Sequence, residues 1–335
     1  MITPRHLSTL APGLDQLAPP VDLVARPTPI TSASTLAEKW NLAALHVKRD
    51  DLSHPLYGGS KVRTLEYFLS HARTRGASGL ATLGPYGSHQ ALTLAIFGRQ
   101  HGFQTRAVLA PRPMTSEIEL NDRLILSYGM DVLRCGSFAA LPLAYLRARL
   151  SLLGDQRPYW IPHGSRHPLG VLSLVEGALE IVRSIEAGEL PMPDDVVVAT
   201  GTCATAAGLL LGFAIAGLKV RVVAVRMVPK ITSTPGNMRW LAERTLKLMR
   251  QHGFDGPVNW GDSLWVDAHA GPGYGLDNEL GKQATDDVAA SGYFRTETTY
   301  TGKTLGLLAS KVLAGRRVLF WNTCSAVDPK PGPVS

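Results

Sequence analysis

Three short segments combine residue types that act on aldehydes and anions. Lys61 follows Gly58-Gly59-Ser60 and opens an apolar-periodic stretch. A lysine at a helix start sits in the positive end of the helix dipole, which disfavours its ammonium form. An amine of depressed pKa attacks aldehydes and holds them as Schiff bases. The plainer alternative is an exposed lysine at a helix start. The second segment, Thr200-Gly201-Thr202-Cys203-Ala204-Thr205-Ala206-Ala207-Gly208, follows a valine run and leads into a helix. Small residues let backbone N–H groups approach an anion, and the helix N-terminus adds partial positive charge, so the loop can cradle a phosphate. It can equally be a tight turn packed on the core. It is no Walker A loop, since no Gly-Lys-Ser/Thr follows, and Cys203 and Ala204 stand where GxGxxG needs glycines. The third segment is Gly87-Ser88-His89-Gln90. Ser88 reads as an N-cap. Hydroxyl, imidazole, amide and free N–H groups together could also grip a carboxylate.

These segments lie at the joints of an alternating pattern. Short apolar runs such as Gly79–Leu83, Thr105–Leu109, Val196–Ala199 and Val318–Trp321 predict strands. Longer periodic stretches such as Lys61–Arg75, Ser88–His101, Val171–Glu186 and Thr205–Ala216 predict helices between them, with a further one over Thr304–Ala314. Such alternation predicts an α/β protein with parallel sheets covered by helices, whose ligands bind at the carboxyl ends of the strands. The 335 residues are 45% hydrophobic and 18% charged, which excludes a chain disordered throughout. The net charge of +7 is scattered and gives no nucleic-acid footprint. Cys135, Cys203 and Cys324 form neither a disulfide framework nor a metal motif. With no third ligand at metal spacing, His163 and His167 read as ordinary loop histidines. No long uncharged apolar run predicts a membrane span, and the N-terminus lacks a signal-like apolar core, so a cytoplasmic setting is expected.

Taken together, Lys48-Arg49-Asp50-Asp51, Gly-Gly-Ser-Lys61 and Ser88-His89-Gln90 resemble the layout of fold type II pyridoxal-phosphate (PLP) enzymes. Within them the chain is similar to the D-cysteine desulfhydrase and 1-aminocyclopropane-1-carboxylate deaminase group. The likeness runs from Arg26-Pro27-Thr28-Pro29-Ile30 through Ile161-Pro162-His163-Gly164-Ser165 to Gly273-Tyr274-Gly275-Leu276 and Tyr300-Thr301-Gly302-Lys303. It implies a two-domain, tryptophan synthase β-like fold, with a large domain of residues 1–55 and 168–335 and a small inserted domain of 56–167. It implies a homodimer, a small amino-acid substrate, and neither nucleic-acid nor membrane partners. It also implies that Lys61 holds the cofactor aldehyde and that Thr202, Cys203, Ala204 and Thr205 hold its phosphate. Ser88, His89 and Gln90 would take the substrate carboxylate, with His89 also at the cofactor. Tyr274 and Tyr300 would be active-site tyrosines, and Thr301 and Thr323 would sit beside the ring.

Two positions divide the group. The deaminases resemble Tyr-Glu-Gly-Lys with a later His-Leu-Gly-Gly, and the desulfhydrases Tyr-Thr-Gly-Lys with His-Thr-Gly-Gly. Thr301 and Thr323 favour the desulfhydrase side, since a hydroxyl facing the pyridine nitrogen leaves a weaker electron sink suited to a good leaving group. The chain departs from the pattern at His89 (asparagine in relatives), Cys203-Ala204 (Gly-Gly), Asn322 (His) and Cys324-Ser325 (Gly-Gly). The ring-opening deaminase and a non-catalytic binder of PLP or amino acids are the alternatives within the fold. A NAD-dependent dehydrogenase is disfavoured by the missing glycine fingerprint.

Overall fold

Runs of β-branched and small apolar residues form strands that are buried on both faces, as parallel sheets require. The computed structural model describes residues 6–154, 156–230, 232–267 and 278–332. The strands are β1 (Ile30–Ser32), β2 (Ala44–Arg49), β3 (Gly79–Pro85), β4 (Gln104–Ala110), β5 (Asp131–Arg134), β6 (Tyr159–Ile161), β7 (Asp195–Thr200), β8 (Arg221–Arg226), β9 (Ser263–Val266) and β10 (Arg317–Asn322). The helices are α1 (His6–Leu10), α2 (Leu14–Leu17), α3 (Ser34–Lys39), α4 (Ser60–Thr74), α5 (His89–Gln100), α6 (Ser116–Ser127), α7 (Leu141–Leu150), α8 (Pro168–Glu186), α9 (Ala204–Ala216), α10 (Pro235–Gln251), α11 (Glu279–Ser291) and α12 (Thr301–Ala309).

The strands form two sheets, ordered β1-β2-β10-β7-β8-β9 and β5-β4-β3-β6. All pairings are parallel except β1 with β2. The anticipated strands are present, extended by a residue or two at their ends. Two were not anticipated: three-residue β1, and β9, whose Ser263–Val266 is only partly buried and shows no alternation. Helix α12 begins at Thr301 instead of Thr304 and stops at Ala309 instead of Ala314. One apolar core runs from α4 and α5 through α8 and α9 to β7 and β8, and a second fills the other face of the six-stranded sheet.

A buried ionic network fixes the start of α4. Arg63 donates to both oxygens of Asp50 at 2.7 and 2.8 Å and to both of Glu180 at 2.8 and 2.9 Å. Lys48 donates to Glu180 at 2.7 Å and to the Thr28 carbonyl at 2.8 Å. Burial alone would raise the Glu180 carboxyl, but Arg63 and Lys48 hold it well below the usual carboxylate range. Burial lowers the Lys48 ammonium against the pull of Glu180. These contacts tie β2, α4 and α8 together two residues from Lys61.

Candidate active site

The carboxyl ends of β3, β4, β6, β7, β8 and β10 converge on a cavity of about 410 Å³, within the ~300–1,000 Å³ range of small-molecule sites. Lys61, in the first turn of α4, reaches into it. Its Nζ donates to the Gly164 carbonyl at a long 3.4 Å. Lys61 is half-buried on the cavity wall, and burial lowers its pKa to about 8. Desolvation of the charged form is the cause of this depressed basicity.

Thr202 donates to the same Gly164 carbonyl at 2.8 Å, so the lysine and the β7–α9 loop meet at one backbone oxygen. Gly164 has φ +62, and a Cβ there would lie 2.2 Å from Thr202 Oγ1. Cys203 precedes α9 in the left-handed conformation, φ +71, and gives no side-chain cap. The first N–H groups of α9 therefore lack intrahelical partners and lack a capping side chain. The Cys203 thiol turns toward Ser233 Oγ, 3.0 Å away, and the Thr234 carbonyl, leaving the loop's open side clear. Thr200 Oγ1 is buried with no hydrogen-bond partner. An uncapped helix start, small flanking residues and an orphaned hydroxyl fit a phosphate monoester, with Ala204 and Thr205 on the same wall.

Ser88 caps α5 by accepting from Ala91 N. Gln90 Nε2 donates to Thr82 Oγ1 at 2.7 Å and to the Pro162 carbonyl at 3.0 Å. The carbonyl can only accept, which fixes the amide's orientation and leaves Oε1 buried without a partner. Both amide hydrogens of Gln90 are thus engaged within the protein, leaving none for the substrate carboxylate it was expected to grip. His89 lies between Tyr57 Oη, 2.6 Å from Nδ1, and Glu117 Oε1, 3.4 Å from Nε2.

Tyr300 and Thr323 line the cavity, as do Cys324 and Ser325. Asn322 is fully buried, its amide donating to the Arg295 carbonyl. Thr301 does not line it: the side chain is fully buried and its hydroxyl is bonded to Glu297. The expected contact of Thr301 with a cofactor ring is therefore absent from the cavity wall. Tyr274 lies outside the described residues. The local reading missed Tyr57, His163, Arg112 and Glu297, all on the wall. His163 Nδ1 donates to the Leu83 carbonyl, 2.9 Å away, and burial lowers its pKa. His167 caps α8. Glu297 accepts from the N–H groups of Thr299, Tyr300 and Thr301, an acidic cap whose signal is its place just ahead of a helix start.

A reactive lysine beside an uncapped helix N-terminus, at the carboxyl edge of parallel strands, defines an α/β enzyme that takes a phosphorylated aldehyde cofactor. The profile of the pyridoxal-phosphate dependent enzyme family matches residues 21–323, and the chain belongs to that family. It is 30% identical over 313 residues to D-cysteine desulfhydrase of Salmonella typhi, covering 90% of this chain and 89% of that protein. Its fold superposes on an ACC deaminase homologue with a TM-score of 0.79 and 26% identity, covering 96% and 95% of the two chains. It also matches a fungal L-serine ammonia-lyase from Rhizomucor miehei (TM-score 0.60, 16% identity, 90% and 94% coverage), a likeness of fold alone. No helix among the described residues is long and apolar enough to cross a membrane.

Proposed function

We propose that the protein catalyses α,β-elimination on a small D-amino acid, D-cysteine first, releasing pyruvate, ammonia and sulfide. The observation that carries this reading is the meeting of Lys61 Nζ and the Thr202 hydroxyl at the Gly164 carbonyl, which sets the amine beside the phosphate cradle. The likeness to D-cysteine desulfhydrase supports the substrate. Bound through Lys61, PLP supplies an electron sink for charge developing at the substrate's α-carbon. Once the substrate's amino group has displaced it from the cofactor, Lys61, with a pKa near 8, would be free as an amine to take the α-proton. The Ser88 hydroxyl and the α5 N–H groups would face the substrate carboxylate. The C–S bond breaks with its electron pair on sulfur, and thiolate leaves as sulfide. Water then hydrolyses the released aminoacrylate to pyruvate and ammonia.

The small domain over 56–167, a homodimer and a cytoplasmic setting belong to the same reading. The branch choice draws on the sequence relative and not on Thr301, whose hydroxyl is held by Glu297. The test compares pyruvate release from D-cysteine with ketobutyrate release from aminocyclopropane carboxylate, at saturating PLP. Pyruvate with little ketobutyrate is expected. Ketobutyrate alone would reverse the branch, and no product from either would favour the non-catalytic binder.

A further inference from the structure

Tyr57 and His89 meet on the cavity wall, with Glu117 beside His89. Tyr57 lies in the loop before α4, His89 in the first turn of α5, and Glu117 in the first turn of α6. Tyr57 Oη is 2.6 Å from His89 Nδ1, with the two rings nearly parallel. Glu117 Oε1 is 3.4 Å from His89 Nε2. Tyr57 is 3% exposed, and burial together with the nearby Cys324, Glu117 and Glu297 raises its hydroxyl, which keeps its proton. The hydrogen bond to His89 holds the Glu117 carboxyl below its ordinary value. Glu297 also faces the imidazole: its carboxylate, the Glu117 carboxylate and a His89 nitrogen lie within 4.8 Å of one another. Arg112 stands beside Glu117.

The hydrogens in this chain have two arrangements. With His89 neutral, Tyr57 donates its O–H to Nδ1, and the ring hydrogen sits on Nε2 toward Glu117. With His89 protonated, both ring nitrogens donate, so Nδ1–H points at the Tyr57 oxygen. The phenol hydrogen must then turn elsewhere, and Tyr57 borders the cavity.

We propose that Tyr57, His89 and Glu117 form a hydrogen-bond switch, in which protonation of His89 turns Tyr57 into a donor to an anionic oxygen bound in the cavity. That oxygen belongs either to the PLP ring or to the amino-acid carboxylate. The inference rests on the PLP and amino-acid reading of this site. His89 and Glu117 are positioning residues, and the group that meets the ligand is the Tyr57 hydroxyl.

Two titrations between pH 5.5 and 8.5 test it: PLP into apo-protein, and D-alanine, which has no leaving group, into the PLP-loaded protein. Tyr57→Phe reports the probes' own pH dependence. For one probe, wild-type affinity falls roughly tenfold or more beyond that baseline as the pH rises, the loss of one charge-assisted hydrogen bond. A step with PLP identifies the ring oxygen, and a step with D-alanine the carboxylate. His89→Asn removes the step. Glu117→Gln moves it to lower pH, because the imidazolium loses a carboxylate partner. Glu117 is half-exposed, so this variant tests the sign of the effect even where Tyr57→Phe fails to fold. Identical profiles for wild type and Tyr57→Phe, a step that survives His89→Asn, or an unmoved step in Glu117→Gln would overturn the switch alone. A folded protein that binds no PLP at any pH would overturn the site reading as well.

Discussion

Lys61 becomes reactive because enclosure makes its charge expensive. Lowering its pKa from 10.5 to about 8 raises the free-amine fraction at neutral pH roughly 300-fold. The expected consequence is kinetic: the initial rate of PLP capture, trapped by borohydride, rises with pH to a midpoint near 8. Peptide mapping places the pyridoxyl group on Lys61, and Lys61→Ala takes up none while keeping its fold. Label on Lys48 or Lys303, both fully buried, would remove Lys61 from its role. The place of Lys61 at a helix start was legible locally, from two glycines and a serine ahead of an apolar stretch. The occupancy of neighbouring polar atoms was not. Thr202 donates to a carbonyl 38 residues away, Gln90 spends its amide hydrogens on Thr82 and Pro162, and Thr301 is held by Glu297. A residue type states what a side chain can bond, while only the fold decides which of its bonds are already made.

The β7–α9 junction forms an uncapped helix start without a glycine at Cys203 or Ala204. The left-handed backbone at Cys203 costs about 1–2 kcal/mol for a residue with a Cβ, and burial of the thiol against Ser233 offsets part of it. Because the thiol faces away from the open side of the loop, Cys203→Gly should leave PLP affinity unchanged and shift stability by no more than about 1 kcal/mol. Gly164→Ala is the contrasting change, because its Cβ would collide with the Thr202 hydroxyl at φ +62. It should weaken PLP roughly tenfold or more, about 1.4 kcal/mol. Titration of both apo-variants with PLP, alongside urea denaturation, checks the pair, and a large affinity loss in Cys203→Gly would move the cradle elsewhere. The long elements were legible because parallel strands buried on both faces read as valine runs and helices read by period. The short β1 was not, since its three residues owe their form to pairing with β2. The start of α12 was displaced because Glu297 caps it from four residues upstream of Thr301.

At the scale of the whole molecule, the ionic network around Arg63 couples the six-stranded sheet to the helices that carry the site. Lys48 belongs to β2, Arg63 to α4 and Glu180 to α8, while Asp50 follows β2 directly. A buried pair gains little over a well-packed apolar substitute, but losing one member strands the others. Glu180→Gln leaves Lys48 without its hydrogen-bonded carboxylate and Arg63 with Asp50 as its one carboxylate partner. It should destabilise the protein by about 3–5 kcal/mol at pH 7, read from the urea midpoint. The pH dependence gives the sharper test. The Glu180 carboxyl titrates in the folded protein below its ordinary value of 4.5, so the unfolded chain binds its proton first as pH falls. The stability it contributes is fully present above about pH 4.5 and drains away below it as the pH falls toward the folded value. Asp51, raised by burial, offsets part of that loss without reversing it. Wild type and Glu180→Gln should therefore differ most at neutral pH and converge as the solution is acidified. A gap that stayed constant from pH 7 to about pH 3 would mean that Glu180 holds α8 by packing, and that the charges around Arg63 do not set the stability of the fold.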